Sequence, residues 1–405
     1  MTASSPHRRP VVYLHVGEPK SGTTFLQQVM WNNRATLARQ GVLLPGHAAQ
    51  DHYRAAQDLR EVVQSADDPT GSYRGEWKLL CEHVMRADVS VISHELLAGA
   101  TEAQAMRALS TLARAEVHVV LTVRDFVTLL PAEWQETVKH RNTGTWQHWV
   151  RRMIRNENSQ RSPGPWFWRV HGTLGVLQRW TQGVPAERVH VITVPPPGSP
   201  TDLLWRRFAS VIGVDPDSVE LDAARQNTSL GHAETELLRR LNVALGRDAV
   251  PDWYYAVRVK ERLAHEILAD RPASARPRLT AKQEQWARER AEKVVAGLAG
   301  AGYDIVGNLA DLVPRPIADD EPQRTGRVPD AAVLDAAVDV IAALVRNDYG
   351  SGGLRLGADG RPRKAAVRPL AKRWVRDMTT RHAAFGRLRV VAWRWLEGMR
   401  AKRRS

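Results

Sequence analysis

The sequence predicts an α/β fold, a parallel sheet flanked by helices with a helical C-terminal region. Three observations lead there. Short apolar runs at residues 11–16 (VVYLHV), 89–93 (VSVIS), 117–123 (VHVVLTV) and 189–194 (VHVITV) read as buried parallel strands. Helical patterns lie between them, as a parallel sheet covered on both faces requires. From about residue 200 the patterns are helical only.

The first strand, 11–16, passes into the loop 18–22 (EPKSG). A helix is expected over 23–40, because Leu26, Val29, Met30 and Leu37 recur at helical spacing and Gly41 sits where a C-terminal cap belongs. Helices are also expected over 103–114 and 131–140, between the later strands. Beyond 200 the amphipathic stretches are 201–211, 233–245, 253–268, 280–298 and 330–345. Proline and arginine crowd 271–278 and 314–329, which marks loops or linkers. The division expected is an α/β domain over 1–245, a helical extension over 246–349, and a flexible joint with a basic Trp/Arg-rich tail over 350–405.

A chain of 405 residues with 43% hydrophobic residues can bury a sizeable core. One cysteine, Cys81, excludes an internal disulfide and a cysteine metal site. The apolar run after Arg8-Arg9 ends at Gly17, too soon for a signal peptide, and no run reaches the length of a membrane span. A cytoplasmic protein is therefore expected. The net charge of +14 is unevenly placed: residues 361–405 hold fifteen Lys or Arg against Asp377 and Glu397. The rest of the chain is close to neutral, which argues against nucleic acid as a partner.

The segment from Gly17 to Thr24 joins the first strand to the first helix. Backbone N–H groups in such a loop, with the helix N-terminus behind them, form a nest for phosphate. Lys20 adds a mobile cation, and Ser21, Thr23 and Thr24 add hydroxyl donors. Gly17 and Gly22 fit the two glycines of the nucleotide-triphosphate loop G-x-x-x-x-G-K-S/T. Yet Thr23 follows Gly22 where that loop has lysine, and Lys20 lies inside the loop instead. No acidic metal ligand follows, since the next two strands lead into Ser93-His94 and Arg124. Sulfonyl transfer moves less charge than phosphoryl transfer and can proceed on lysine and backbone donors without a metal.

Pro19-Lys20-Ser21-Gly22-Thr23-Thr24 resembles the P-K-S-G-T-T loop of sulfotransferases that use 3′-phosphoadenosine 5′-phosphosulfate (PAPS), in particular their bacterial branch. The resemblance covers residues 11–245. It implies a P-loop-type sheet in which Lys20 assists the leaving oxygen while Thr23 and Thr24 contact the 5′-phosphate. It also implies an arginine for the 3′-phosphate at the end of a later strand, a role that Arg124 fits; its planar fork suits phosphate. The serine that the family places eight residues further on is Ala132 here. Thr128, Asn227 or Ser229 would have to replace it, although Asn227 and Ser229 read equally as a helix-capping turn.

Acceptor activation needs a base, and His94-Glu95 closes a strand at the carboxyl edge where α/β sheets build sites. By the resemblance either residue can take the acceptor proton, and His52 is the next candidate. Lys139, His140 and Arg141 lie where an acceptor would bind. The tail from Leu370 to Met399 alternates apolar residues with arginine. It suits either a helix on an anionic membrane or a helix packed on the core. The acceptor expected is a glycan, glycolipid or secondary metabolite bearing a hydroxyl or amine. Two rivals remain at this point, a Mg²⁺-dependent nucleotide kinase or NTPase and a non-catalytic anion- or membrane-binding module.

Overall fold

A computed structural model of the chain describes residues 9–62, 73–157, 164–221, 229–314 and 327–350. Six strands are present: β1 (Val11–Gly17), β2 (Val42–Leu43), β3 (Val89–Ser93), β4 (Glu116–Val123), β5 (Val189–Thr193) and β6 (Asp304–Val306). They form one sheet in the order β2-β3-β1-β4-β5-β6, and every ladder is parallel. The α/β class is as the apolar runs predict. β1 lies between β3 and β4, with His15 opposite Ser93. Its register against β4 slips between His15 and Gly17, where the chain turns out of the sheet into the loop.

Helices fill the crossovers. α1 (Thr23–Asn32) and α2 (Arg34–Arg39) follow β1, then α3 (Ala49–Leu59) and α4 (Glu76–Val84) precede β3. α5 (Glu102–Thr111) leads to β4. α6 (Phe126–Lys139), α7 (Trp146–Arg155), α8 (Gly164–His171) and α9 (Thr173–Trp180) lead to β5. α10 (Leu203–Ile212), α11 (His232–Leu245), α12 (Asp252–Tyr255), a π-helix over Ala256–Leu268 and α13 (Ala281–Ala299) lie between β5 and β6, and α14 (Asp330–Gly350) follows.

Strand periodicity assigns the two faces. Val12, Leu14 and Val16 of β1 join Val119, Leu121, Trp77, Trp180 and Val294 in one core. Val91, Val120 and Ile192 turn the other way, onto Leu26, Val29, Trp205 and Phe208. His15 alternates onto that second face, against the Phe208 ring at 5.2 Å.

Two expectations change. The helix over 23–40 breaks at Asn33, whose amide donates to Val29 O and Glu220 O, each at 2.9 Å, and accepts from Glu220 N. A tertiary contact there replaces the helical ladder. The segment 246–349, expected as helical, supplies β6, which pairs with β5. Val294 and Leu298 of α13 enter the same core as β1. The described residues up to Ala337 form one compact unit, and the described residues beyond it, 338–350, are helical. Apart from Gly350, the joint and tail over 350–405 lie outside the described residues. Among the described residues no helix is long and apolar enough to cross a membrane.

Candidate active site

The loop after β1 bends through backbone that few residues adopt. Gly17 (φ 131°), Lys20 (φ 61°) and Gly22 (φ 85°) all have positive φ. At Gly22, the residue that caps α1, a Cβ would stand 2.3 Å from Leu204 Cδ2, so glycine is required twice over. Lys20 pays a local strain that its neighbours must hold.

They hold it through a buried polar network. The fully buried Ser21 hydroxyl lies 2.5 Å from both Glu18 O and Thr122 Oγ1. Thr122 Oγ1 donates to Gly17 O at 3.0 Å, and Glu18 N donates to Thr122 O at 2.9 Å. His15 bridges Ser93 and Thr122 at 2.8 and 3.2 Å, and burial pushes its pKa down to about 4, so it is a neutral spacer. Glu18 is buried as well and accepts from Thr173 Oγ1 at 2.7 Å; burial raises its carboxyl to about 7. Thr23 is buried at the first turn of α1, whereas Thr24 is exposed.

The Lys20 ammonium donates to Glu136 Oε2 on α6 at 2.9 Å. Burial opposes its charge, but Glu136 and Glu133 outweigh that and leave its pKa raised. Glu136 in turn gathers Lys260 at 3.1 Å and Lys139 at 3.7 Å. Despite its burial, these partners hold the Glu136 carboxyl far below the usual range. Glu133, one turn earlier on the same helix face, lies 3.5 Å from His171.

Arg124 follows β4 and donates to Lys20 O at 3.1 Å, tying this strand end to the loop. Burial lowers its pKa, Asp125 opposes that, and Arg276 lowers it further. Two arginines thus repel each other here. Arg276 lies beside Ser229 and Ala132 in one small cleft. It also borders a cavity of about 200 Å³ with Thr128, Pro131 and Arg278. Asn227 lies outside the described residues.

At the end of β3 the two candidate bases differ. His94 caps the 3-10 turn Glu95–Gly99, its Nδ1 accepting from Leu96 N at 3.2 Å. Burial lowers its pKa, so the ring is neutral; with Nδ1 an acceptor, its proton sits on Nε2. No free lone pair is left. Glu95 Oε2 accepts from Gln27 of α1 at 3.0 Å. Burial raises the Glu95 pKa, but its own backbone N–H, Gln27 and Lys20, with any charge on His94, more than reverse this and leave it lowered.

Of the other candidates, His52 is committed at both nitrogens. Its Nε2 reaches Pro45 O at 2.9 Å and its Nδ1 accepts from Ser93 N at 3.2 Å. Arg141 clamps the chain at Arg247 O and Val250 O, over the Tyr255 ring. Lys139 and His140 both turn to Glu136. Sequence reading missed Gln27, Glu133, Glu136, Lys260 and Arg276. Glu133, Glu136, Lys139 and His140 recur at i, i+3, i+6 and i+7, a spacing that does mark one helix face. Nothing in the sequence links Arg276 to Arg124.

No family model matches the chain, and no curated protein matches it. Among solved structures, a sulfotransferase from Alicyclobacillus acidocaldarius aligns over 54% of this chain and 86% of its own, with 17% identity and a TM-score of 0.36.

Proposed function

We propose that the chain is a sulfotransferase that moves a sulfonate group from PAPS to an acceptor hydroxyl or amine. The observation that carries this reading is Lys20. It lies in left-handed backbone between β1 and α1, is held as an ammonium, and senses the Glu95 carboxylate at the neighbouring strand end. A cation for the leaving group and a base for the acceptor thus share one edge of the sheet.

In the proposed reaction, backbone N–H groups of the loop and the start of α1 hold the 5′-phosphosulfate. Glu95 takes the acceptor proton as a new bond to sulfur forms, and the bond from sulfur to the bridging oxygen breaks. Lys20 donates to the phosphate oxygen that gains charge, an interaction stronger in the transition state than before it. Arg124 and Arg276 supply paired cations for the 3′-phosphate, with Ser229 in the place that Ala132 leaves without a hydroxyl. Ser21 acts from beneath, holding the loop's shape with its buried hydroxyl.

Calorimetric titration tests the reading. Adenosine 3′,5′-bisphosphate should bind far more tightly than ATP, with or without Mg²⁺, and Lys20→Ala should bind it nearly as well while turnover falls ~10²–10³-fold. Equal or tighter binding of Mg·ATP would sink the proposal in favour of a kinase or NTPase.

A further inference from the structure

Three ammonium groups share the Glu136 carboxylate. Lys20, Lys139 and Lys260 arrive from three different elements, the loop after β1, the end of α6 and the π-helix, and converge on this one carboxylate at 2.9, 3.7 and 3.1 Å. His140 Nε2 lies 2.8 Å from the Lys260 ammonium and 3.2 Å from Glu136 Oε1. The other acidic groups act on Lys20, and Glu136 alone attracts Lys139. Glu133 and Glu95 raise the Lys20 pKa, and Glu133 also lies 3.5 Å from His171. Glu261, on the helix that carries Lys260, acts on His265 and forms no ion pair with the three lysines.

Lys139 bears the consequence. Its side chain is only 8% exposed, yet its single ion pair is the long one to the shared Glu136. Burial lowers its pKa, and Lys20 and Lys260 add to that despite the attraction of Glu136. A buried cation held at this distance among like charges costs stability that the fold does not recover from its own groups. A ligand that brings a negative charge would recover it. The cluster also has a mouth to solvent, since Lys20, Glu136 and Lys260 keep 29%, 23% and 24% exposure and His140 keeps 61%.

We infer that Lys139 and Lys260 bind an oxyanion carried by the acceptor, so that the substrate is an anionic molecule bearing a carboxylate, phosphate or sulfate near the group that is modified. This rests on the sulfotransferase reading for its direction, because Lys20 joins the cluster to the proposed leaving-group position. Lys139 and Lys260 then position the acceptor through charge-assisted hydrogen bonds, and Glu136 spaces the three ammoniums apart. A neutral molecule of the same shape would leave Lys139 unmatched and bind poorly.

The test is calorimetry on the full chain saturated with adenosine 3′,5′-bisphosphate, using glucuronate, glucose 6-phosphate and glucose as probes. The two anions should bind and glucose should not, and whichever anion binds more tightly identifies a carboxylate or a phosphate as the preferred group. Lys139→Met and Lys260→Gln should each weaken the anions about tenfold or more, while adenosine 3′,5′-bisphosphate binds as before. Without anion, Lys139→Met should melt no lower than the parent chain, which separates a ligand-binding lysine from a structural one. The inference is overturned by absent anion binding, by equal binding of glucose, or by anion affinity that both variants leave unchanged. It is also overturned if the bisphosphate displaces the anions, because the lysines then belong to the donor site. Should the bisphosphate itself fail to bind, the sulfotransferase reading falls, and anion binding to the free protein still decides whether Lys139 and Lys260 form a site.

Discussion

At the scale of single residues, the division of labour between His94 and Glu95 follows from hydrogen-bond bookkeeping. An imidazole nitrogen that caps a backbone N–H has no lone pair left for an acceptor proton. In the proposed reaction His94 is thus a positioning residue: its cap fixes the turn on which Glu95 stands, while Gln27 holds the carboxylate from α1. Glu95→Gln should lower turnover by ~10²–10⁴, the usual cost of losing a general base, with binding of adenosine 3′,5′-bisphosphate intact. Asparagine is a good N-cap, so His94→Asn should keep the turn and stay within about tenfold of the parent rate. Turnover by both variants settles the matter, and a loss at His94→Asn as deep as that at Glu95→Gln would return the proton to the histidine.

At the scale of elements, the end of the sheet decides where the folding unit stops. β6 has three residues and β2 two, too few for any periodicity to announce them, so neither was legible in the sequence. The four longer strands were legible, because buried parallel strands are nearly continuous apolar runs. α3 escaped because polar Gln50, Asp51, Arg54, Gln57 and Asp58 hide the buried Ala55, Ala56 and Leu59. The site divides in the same way. Lys20 and Gly22 stand out because a phosphate loop is local in sequence. The Arg124–Arg276 pair and the convergence of Lys260 on Glu136 join residues more than a hundred positions apart, which only the fold brings together. One consequence is measurable. A chain cut after Gly246 loses β6 and the α13 residues Ala287, Ala291, Val294 and Leu298, and bares the edge of β5. It should show no cooperative thermal transition, whereas a chain ending at Ala337 should melt as one unit. A cooperative melt of the shorter chain would place the domain boundary near 245 after all.

At the scale of the whole molecule, two buried histidines and one buried carboxyl couple folding to pH with opposite signs. His15 and His52 are neutral in the core, their pKa values lowered by burial from 6.5 to about 4. Each stabilises the fold fully above pH 6.5, and that contribution is lost as pH falls toward 4, because the unfolded chain takes up the proton first. Glu18 runs the other way. Burial raises it from 4.5 to about 7, so its contribution is present below pH 4.5 and is lost as pH rises through 7. Between pH 4.5 and 6.5 unfolding therefore binds two protons at the histidines and releases one from Glu18. From these three groups the net uptake of one proton gives a stability that climbs by up to about 1.4 kcal/mol per pH unit. His232, lowered by burial to about 4, and His94, also lowered by burial, add to the climb. Denaturant unfolding at pH 5 and pH 6.5 should show the higher midpoint at pH 6.5. Glu18→Gln removes the opposing group, so its slope over the same window should steepen by about 1.4 kcal/mol per pH unit. A parent chain more stable at pH 5 than at pH 6.5 would mean that His15 and His52 are charged in the folded state. The network beneath the loop would then hold an imidazolium between Ser93 and Thr122, and the proposed phosphate site above it would gain a positive charge.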